Sequence, residues 1–214
     1  MSNPLNIHTL CGGPFETNSL VLWRETSALI VDPGFLGKAL LEFCRAQKLE
    51  IAAILCTHGH IDHIFDIALV SEACPKAPVG LHAADEVWAF EPKATSMFGL
   101  PPIRRPQEIQ RLWKEGETYE DAGIRYSIIE TPGHSPGGVC FLVEDDNVLV
   151  AGDTLFAGSI GRLDLPGGSE TAMRGSLAKL MTLPDALRVL PGHGDETTIG
   201  DERSHNPYVA ELLG

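Results

Sequence analysis

Apolar and polar residues alternate from Leu5 to Leu10, the period of a half-buried strand, and Cys11-Gly12-Gly13-Pro14 breaks the pattern. Asn18 to Trp23 and Ala28 to Val31 read as two strands joined by the polar turn Arg24-Glu25-Thr26, and Asp32-Pro33-Gly34 is a strong stop. From Gly37 to Lys48 the period changes, and Leu40, Leu41, Phe43 and Cys44 recur at helical spacing. The unbroken run Ile51-Ala52-Ala53-Ile54-Leu55 predicts a short buried strand. Asp66 to Ala73 reads as a helix ended by Pro75, Val79 to Leu81 as a strand, and Ala83 to Phe90 as a third helix. Glu91 to Gln107 holds Pro92, Pro101, Pro102 and Pro106 and predicts a loop or broken helix lying over one side of a site. Strands follow at Ile124–Ile129, Gly138–Val143, Val148–Ala151 and Leu187–Leu190. Ala172 to Thr182 reads as a helix with Ser169 as its N-cap, and Asn206-Pro207 opens a last short helix with a cap and a first-position proline.

The alternation of strands and helices predicts an α/β fold. No linker divides residues 1–214, so one domain is expected, built from an early and a later group of similar elements. The polar residues at the strand ends carry the chemistry. His58-Gly59-His60-Ile61-Asp62-His63 follows the buried strand and places four metal-ligating side chains on one tight turn. A structural role gives no reason for such clustering. His134 follows the strand ending at Ile129, Asp153 the strand ending at Ala151, and His193 the strand ending at Leu190. Each sits beside glycine or proline, on a rigid mount where the backbone can turn sharply. None is persuasive alone, but the set of seven suffices for two metals sharing one carboxylate. His8, His82 and His205 read as surface or satisfied core residues, and Cys56 as a small core residue.

Charge narrows the class. The 214 residues carry 16 basic and 29 acidic side chains, a net charge of −13, which disfavours a nucleic-acid partner. No apolar run approaches the roughly 20 residues of a membrane span, and the first residues lack the basic and apolar regions of a secretory signal. Five scattered cysteines without a Cys-x-x-Cys pair are expected to be reduced. These features predict a cytoplasmic protein that needs no membrane and no protein partner.

The stretches Thr57–His63 (THGHIDH), Gly133–Gly138 (GHSPGG), Gly152–Phe156 (GDTLF) and Pro191–Gly194 (PGHG) resemble the metallo-β-lactamase superfamily, in the order it uses them. Within it, GDTLF, Gly161-Arg162 and the ending Asp201–Pro207 are similar to the glyoxalase II group, the hydroxyacylglutathione hydrolases. The resemblance implies a four-layered αβ/βα sandwich, with two sheets face to face and helices on both outer faces. It implies that His58, His60 and His134 bind a first divalent metal ion and Asp62, His63 and His193 a second, with Asp153 bridging. Zinc is the default, with iron or manganese possible. A metal-bridged hydroxide would then hydrolyse a small-molecule thioester, a glutathione conjugate such as S-D-lactoylglutathione, with Asp62 orienting the nucleophile or taking its proton. Arg162 would grip a glutathione carboxylate. Two tyrosines of the longer enzymes are replaced by Asp164 and Asp195, and their C-terminal helical region is not expected here. The loop with Met97, Phe98, Arg104 and Arg105 is expected to supply contacts instead. The alternatives within the resemblance are another acyl thioester, or a persulfide dioxygenase with one iron held by two histidines and an aspartate.

Overall fold

The computed structural model describes residues 3–96 and 98–214; Met97 lies outside them. A first sheet carries strands β1 (Asn6–Gly12), β2 (Thr17–Arg24), β3 (Ser27–Val31), β4 (Glu50–Leu55), β5 (Val79–Leu81) and β6 (Arg111–Leu112), side by side in that order. β1, β2 and β3 pair antiparallel, and β3 through β6 pair parallel. The second sheet begins at its edge with β7 (Thr118–Asp121), β8 (Ile124–Glu130), β9 (Val139–Val143) and β10 (Val148–Gly152). A small hairpin follows, β11 (Leu155–Phe156) and β12 (Ser159–Ile160). Then β13 (Arg188–Pro191) joins the second sheet parallel to β10, and β14 (Thr197–Thr198) closes its other edge.

The alternation of side chains along the strands sorts them into three cores. Leu20, Leu22, Leu29, Val31 and Leu55 face Ile128, Phe141, Val148, Val150 and Leu190 between the two sheets. Their neighbours in sequence point outward. Val21, Ile30 and Ile54 meet helices α1 (Gly37–Ala46), α2 (Ile61–Ile64), α3 (Ile67–Ala73) and α4 (Ala83–Ala89), through Leu40, Ile64, Ile67 and Ala89. Past α4 comes the short α5 (Lys93–Ser96). Cys140, Leu149 and Val189 meet α6 (Glu170–Leu180) and the closing helices α7 (Ile199–His205) and α8 (Pro207–Leu213), through Met173, Leu177, Ile199 and Leu212. The architecture is therefore the αβ/βα sandwich. Among the described residues no helix is long and apolar enough to cross a membrane.

The differences from the sequence reading have local causes. β1 runs on through Cys11 and Gly12 because their partners Asn18 and Thr17 continue the ladder. β7, Thr-Tyr-Glu-Asp, is an edge strand whose polar side chains hide the alternation, and α7 carries a single aliphatic side chain, Ile199. The Ser169 and Asn206 caps are formed. Cys56 is fully buried in the helix-covered core of the first sheet, and the five cysteines are free.

Asn206 does more than cap α8. Its Nδ2 donates to the carbonyl of Ser159 at 2.9 Å and to Glu202 Oε2 at 2.7 Å, and Glu202 Oε2 also accepts from the Gly158 amide. These buried bonds tie the β11–β12 hairpin to the C-terminal helices. Replacing Asn206 with Ala is expected to lower unfolding stability by about 2–4 kcal/mol, from the lost cap and the unsatisfied buried acceptors. A urea titration measures this; the exposed Glu211→Ala should stay within about 0.5 kcal/mol.

Candidate metal centre

The candidate ligands gather at one edge of the sandwich, where the carboxyl ends of β4, β8, β10 and β13 open into loops. β4 ends at Leu55 and delivers His58; the chain then turns at His60 into the single turn of α2, which carries Asp62 and His63. His134 lies between β8 and β9, Asp153 directly follows β10, and His193 follows β13. Gly192 allows the approach of the last two: a Cβ there would lie 2.2 Å from Asp153 Oδ1 and 2.8 Å from His63 Cε1.

All seven residues come together. His58, His60 and His134 form one group whose ligand atoms lie within 4.8 Å of one another, and Asp62, His63 and His193 form another. Asp153 stands between them. Its Oδ2 is 3.3 Å from His134 Nε2, and its Oδ1 is 3.3 Å from His63 Nε2. His193 Nε2 lies 3.2 Å from Asp62 Oδ2. His60 Nδ1 and His134 Nε2 face each other at 2.8 Å. Despite this crowding, His58 Nε2, His63 Nε2 and Asp153 Oδ1 are buried without a properly directed hydrogen bond. Buried polar atoms are normally satisfied. Three orphans aimed at shared space, with imidazole and carboxylate donors around them, are what divalent cations require.

The outer contacts fix which ring nitrogen faces inward. His63 Nδ1 bonds Asp32 Oδ2 at 2.9 Å, and the same carboxyl group accepts from the Thr57 amide and hydroxyl. Asp32 adopts a left-handed backbone, φ +48, a strained conformation that aspartate tolerates and that is held here by these bonds. His134 Nδ1 donates to the Arg162 carbonyl at 2.8 Å. Thr17 donates to Asp62 Oδ2 at 2.9 Å, and Asn18 Nδ2 holds the carbonyls of Pro191 and Gly194 on either side of His193. Asp85, on α4, is fully buried. It accepts from the Gly59 amide, the Ser135 hydroxyl and the Gly137 amide at 2.7–2.8 Å, and so joins the His58–His63 turn to the His134 loop.

Charge is divided unevenly across the cluster. Burial, and then the facing His134, push the His60 imidazole down to about 3. Burial and His63 likewise push His58 well below its ordinary value. His63 moves the other way: burial is outweighed by Asp153, Asp62 and Asp32, which raise it well above. Burial also opposes protonation of His193, yet its bonds to Asp153 and Asp62 push it up to about 9. Asp62 and Asp153 are held well below the carboxylate range, against burial, by His63 and His193. Two imidazoles thus stand neutral and two bear protons that a cation would displace.

Residues 12–193 match the family model of the metallo-beta-lactamase superfamily. The chain belongs to the metallo-β-lactamase superfamily. Hydroxyacylglutathione hydrolase GloC of Haemophilus influenzae is 32% identical over 96% of this chain and 98% of its own length. The crystal structure of BLEG-1 B3 metallo-beta-lactamase superposes with a TM-score of 0.89 at 35% identity, covering 95% of this chain and 99% of that one. TTHA1623 in a di-iron-bound form superposes with a TM-score of 0.85 at 36% identity, covering 94% and 99%. Membership in this superfamily makes the chain a metallo-hydrolase with a metal centre, and the His/Asp cluster is the candidate for it.

The residues expected at the substrate lie less uniformly. Arg162 is exposed and bound in two-pronged fashion to Asp164, Nε to Oδ1 at 2.7 Å and the terminal nitrogen to Oδ2 at 2.8 Å. Arg104 pairs with Glu72, and Arg105 with Glu86. The cation that lines the cavity beside His60 is instead Lys93, with Trp88, Phe98 and Leu165. Sequence reading missed Lys93, Asp85, Thr17 and Asn18, which carry no local signal. Asp32 had one: it directly follows an apolar strand, as Asp153 does.

Replacing Asp85 with Ala would leave two amides, a hydroxyl and the Trp88 indole without their acceptor. Stability is expected to fall by about 3 kcal/mol or more. Denaturant unfolding checks this against Glu72→Ala, which breaks only a surface pair and should change stability by less than about 0.5 kcal/mol.

Proposed function

We propose that the chain is a binuclear metal-dependent thioester hydrolase acting on S-2-hydroxyacylglutathione, with S-D-lactoylglutathione as the simplest substrate. The observation that carries this reading is the pair of three-ligand groups with Asp153 between them. His58, His60 and His134 would hold one cation and Asp62, His63 and His193 the other. An imidazole and carboxylate donor set without thiolate suits zinc, iron or manganese. The full-length similarity to the hydroxyacylglutathione hydrolase supports the substrate class. The completeness of the second group favours hydrolysis over a mononuclear iron dioxygenase.

Divalent cations held by these two groups would supply Lewis-acid chemistry, lowering the pKa of a bound water and polarising a carbonyl oxygen. The protein does the rest by position. Asp32 fixes the His63 ring with Nε2 inward, and the Arg162 carbonyl does the same for His134. Asp62 spends Oδ2 on the Thr17 hydroxyl, leaving Oδ1 as an acceptor that can orient the attacking water. Asp62 is placed to orient the nucleophile or take its proton. A thiol leaving group, with a pKa near about 8.5, departs as thiolate without a general acid.

Metal analysis of the purified protein, run alongside thiol release from S-D-lactoylglutathione, tests the reading. Two metals per chain and thiol release, abolished by chelation and restored by metal, are expected. Two metals without thiol release would overturn the glutathione thioester assignment, and one iron with oxygen consumption would overturn hydrolysis. Asp153→Ala is expected to lower kcat/KM by more than about 100-fold, beyond the usual effect of losing an outer contact to a ligand.

Metal loading should also release protons. A cation needs His63 and His193 neutral, and His193 in the metal-free site is pushed up to about 9. Below that pH the proton competes with the metal. Apparent affinity should therefore fall as pH drops from 9 to 7, by about tenfold per pH unit for each proton displaced. Zinc titration calorimetry in buffers of different ionisation enthalpy measures the protons released; none at pH 7 would contradict the assignment of these two histidines.

A further inference from the structure

The proposed reaction leaves open which half of the thioester enters the protein. A cavity lined by described residues adjoins the cluster at His60. It has a volume of about 360 Å³, within the range of small-molecule sites, and His60 forms part of its wall. The His60 ring turns Nδ1 towards His134, so its other edge is left for the cavity side, and its centroid lies 5.3 Å from the Trp88 ring. A group resting on Trp88 is therefore one imidazole away from the candidate metal centre.

The remaining walls are apolar: Trp88, Phe98, Pro136, Leu165 and Pro166. They are also built in place. The Trp88 indole donates to Asp85 at 3.3 Å, the carboxyl group that ties together the two ligand loops. Phe98 packs edge-on against Phe15, with ring centroids 5.3 Å apart. Gly167, with φ +92, lets its loop close on Pro136; a Cβ there would lie 2.9 Å from the proline ring.

Glutathione is a poor occupant of such a space. It carries two carboxylates, an ammonium and two amides, which need partners once out of water. Among the described lining residues, His60, Trp88 and Lys93 have polar side-chain atoms. The Trp88 N–H is already used, which leaves His60 and the exposed Lys93 as the polar side chains to meet five polar groups. An apolar acyl group leaves nothing unsatisfied there. A lactoyl group, with one methyl beyond its hydroxyl, fills little of 360 Å³.

We infer that this cavity is the acyl pocket, and that it takes 2-hydroxyacyl groups bearing a large apolar or aromatic substituent in preference to lactoyl. The inference rests on the thioester-hydrolase reading above, and the thiol half then lies outside the cavity, towards solvent.

The test compares S-D-lactoylglutathione with the glutathione thioester of D-3-phenyllactate on the metal-loaded protein. Calorimetric binding of the two free acids, lactate and phenyllactate, is measured alongside. The phenyllactoyl thioester should have at least about tenfold higher kcat/KM, the scale on which hydrophobic pockets discriminate. Phenyllactate should bind at least about tenfold more tightly than lactate. Phe98→Ala and Leu165→Ala, two changes on different walls, should each shrink both ratios at least about threefold, with the kinetic change falling on KM. Equal or lower kcat/KM for the larger thioester, or ratios unmoved in both variants, would overturn the pocket while leaving hydrolysis intact. No thiol release from either thioester would overturn the hydrolase reading, and the acid-binding ratio would then decide the pocket alone: tenfold supports it, equality overturns it.

Discussion

Two buried carboxyl groups fasten the turn on which the centre is built. Asp32, at the end of β3, holds the Thr57 backbone and the outer nitrogen of His63. Asp85, from α4, holds the Gly59 amide and reaches across to Ser135 and Gly137. Without them the turn from Thr57 to His63 would have unpaired amides in a dry environment, and the His63 ring would lose the contact that orients it. With them, three histidines and an aspartate project from six residues in fixed directions. Asp85 carries the turn across to the second sheet, because the Ser135–Gly137 loop joins β8 to β9.

Crowding the donors so closely has an electrostatic consequence. Four imidazoles, His58, His60, His134 and His63, cluster with ring centroids about 4–5 Å apart, beside Asp62 and Asp153. Burial holds His58 and His60 towards the neutral form, while the surrounding carboxylates hold a proton on His63. Cations held there would displace such protons and satisfy the buried atoms that have no protein partner. The same loops that carry ligands also shape the neighbouring cavity: His134 is followed by Pro136, and the Arg162 carbonyl that steers His134 is followed by Leu165 and Gly167. Ligand geometry and pocket shape are therefore coupled through short stretches of backbone.

The sandwich was legible because its strands are long, apolar and regularly alternating, as in Leu20–Val21–Leu22 and Val148–Leu149–Val150, where successive residues enter different cores. β6 and β7 were not, because two- and four-residue edge strands bury too little to impose a pattern. The cluster was legible where donors stand next to one another or directly after an apolar strand. Asp85 was not: it sits on a helix 26 residues from Gly59 and 52 from Gly137, and only folding brings the three together. Substrate contacts were the least legible. Arg162, Arg104 and Arg105 each find a carboxylate partner of their own, and the cavity is lined by α4, α5 and the separate stretches at His60, Phe98, Pro136 and Leu165–Gly167, whose apolar residues look like ordinary packing in sequence.

The central claim is that the seven side chains form two cation sites joined by one carboxylate. A crystal structure of the zinc-loaded protein with anomalous data collected on either side of the zinc edge tests it most directly. Two anomalous peaks are predicted, one bounded by His58, His60 and His134 and the other by Asp62, His63 and His193, with Asp153 contacting both. A single peak at full occupancy, or Asp153 turned away from either one, would contradict it.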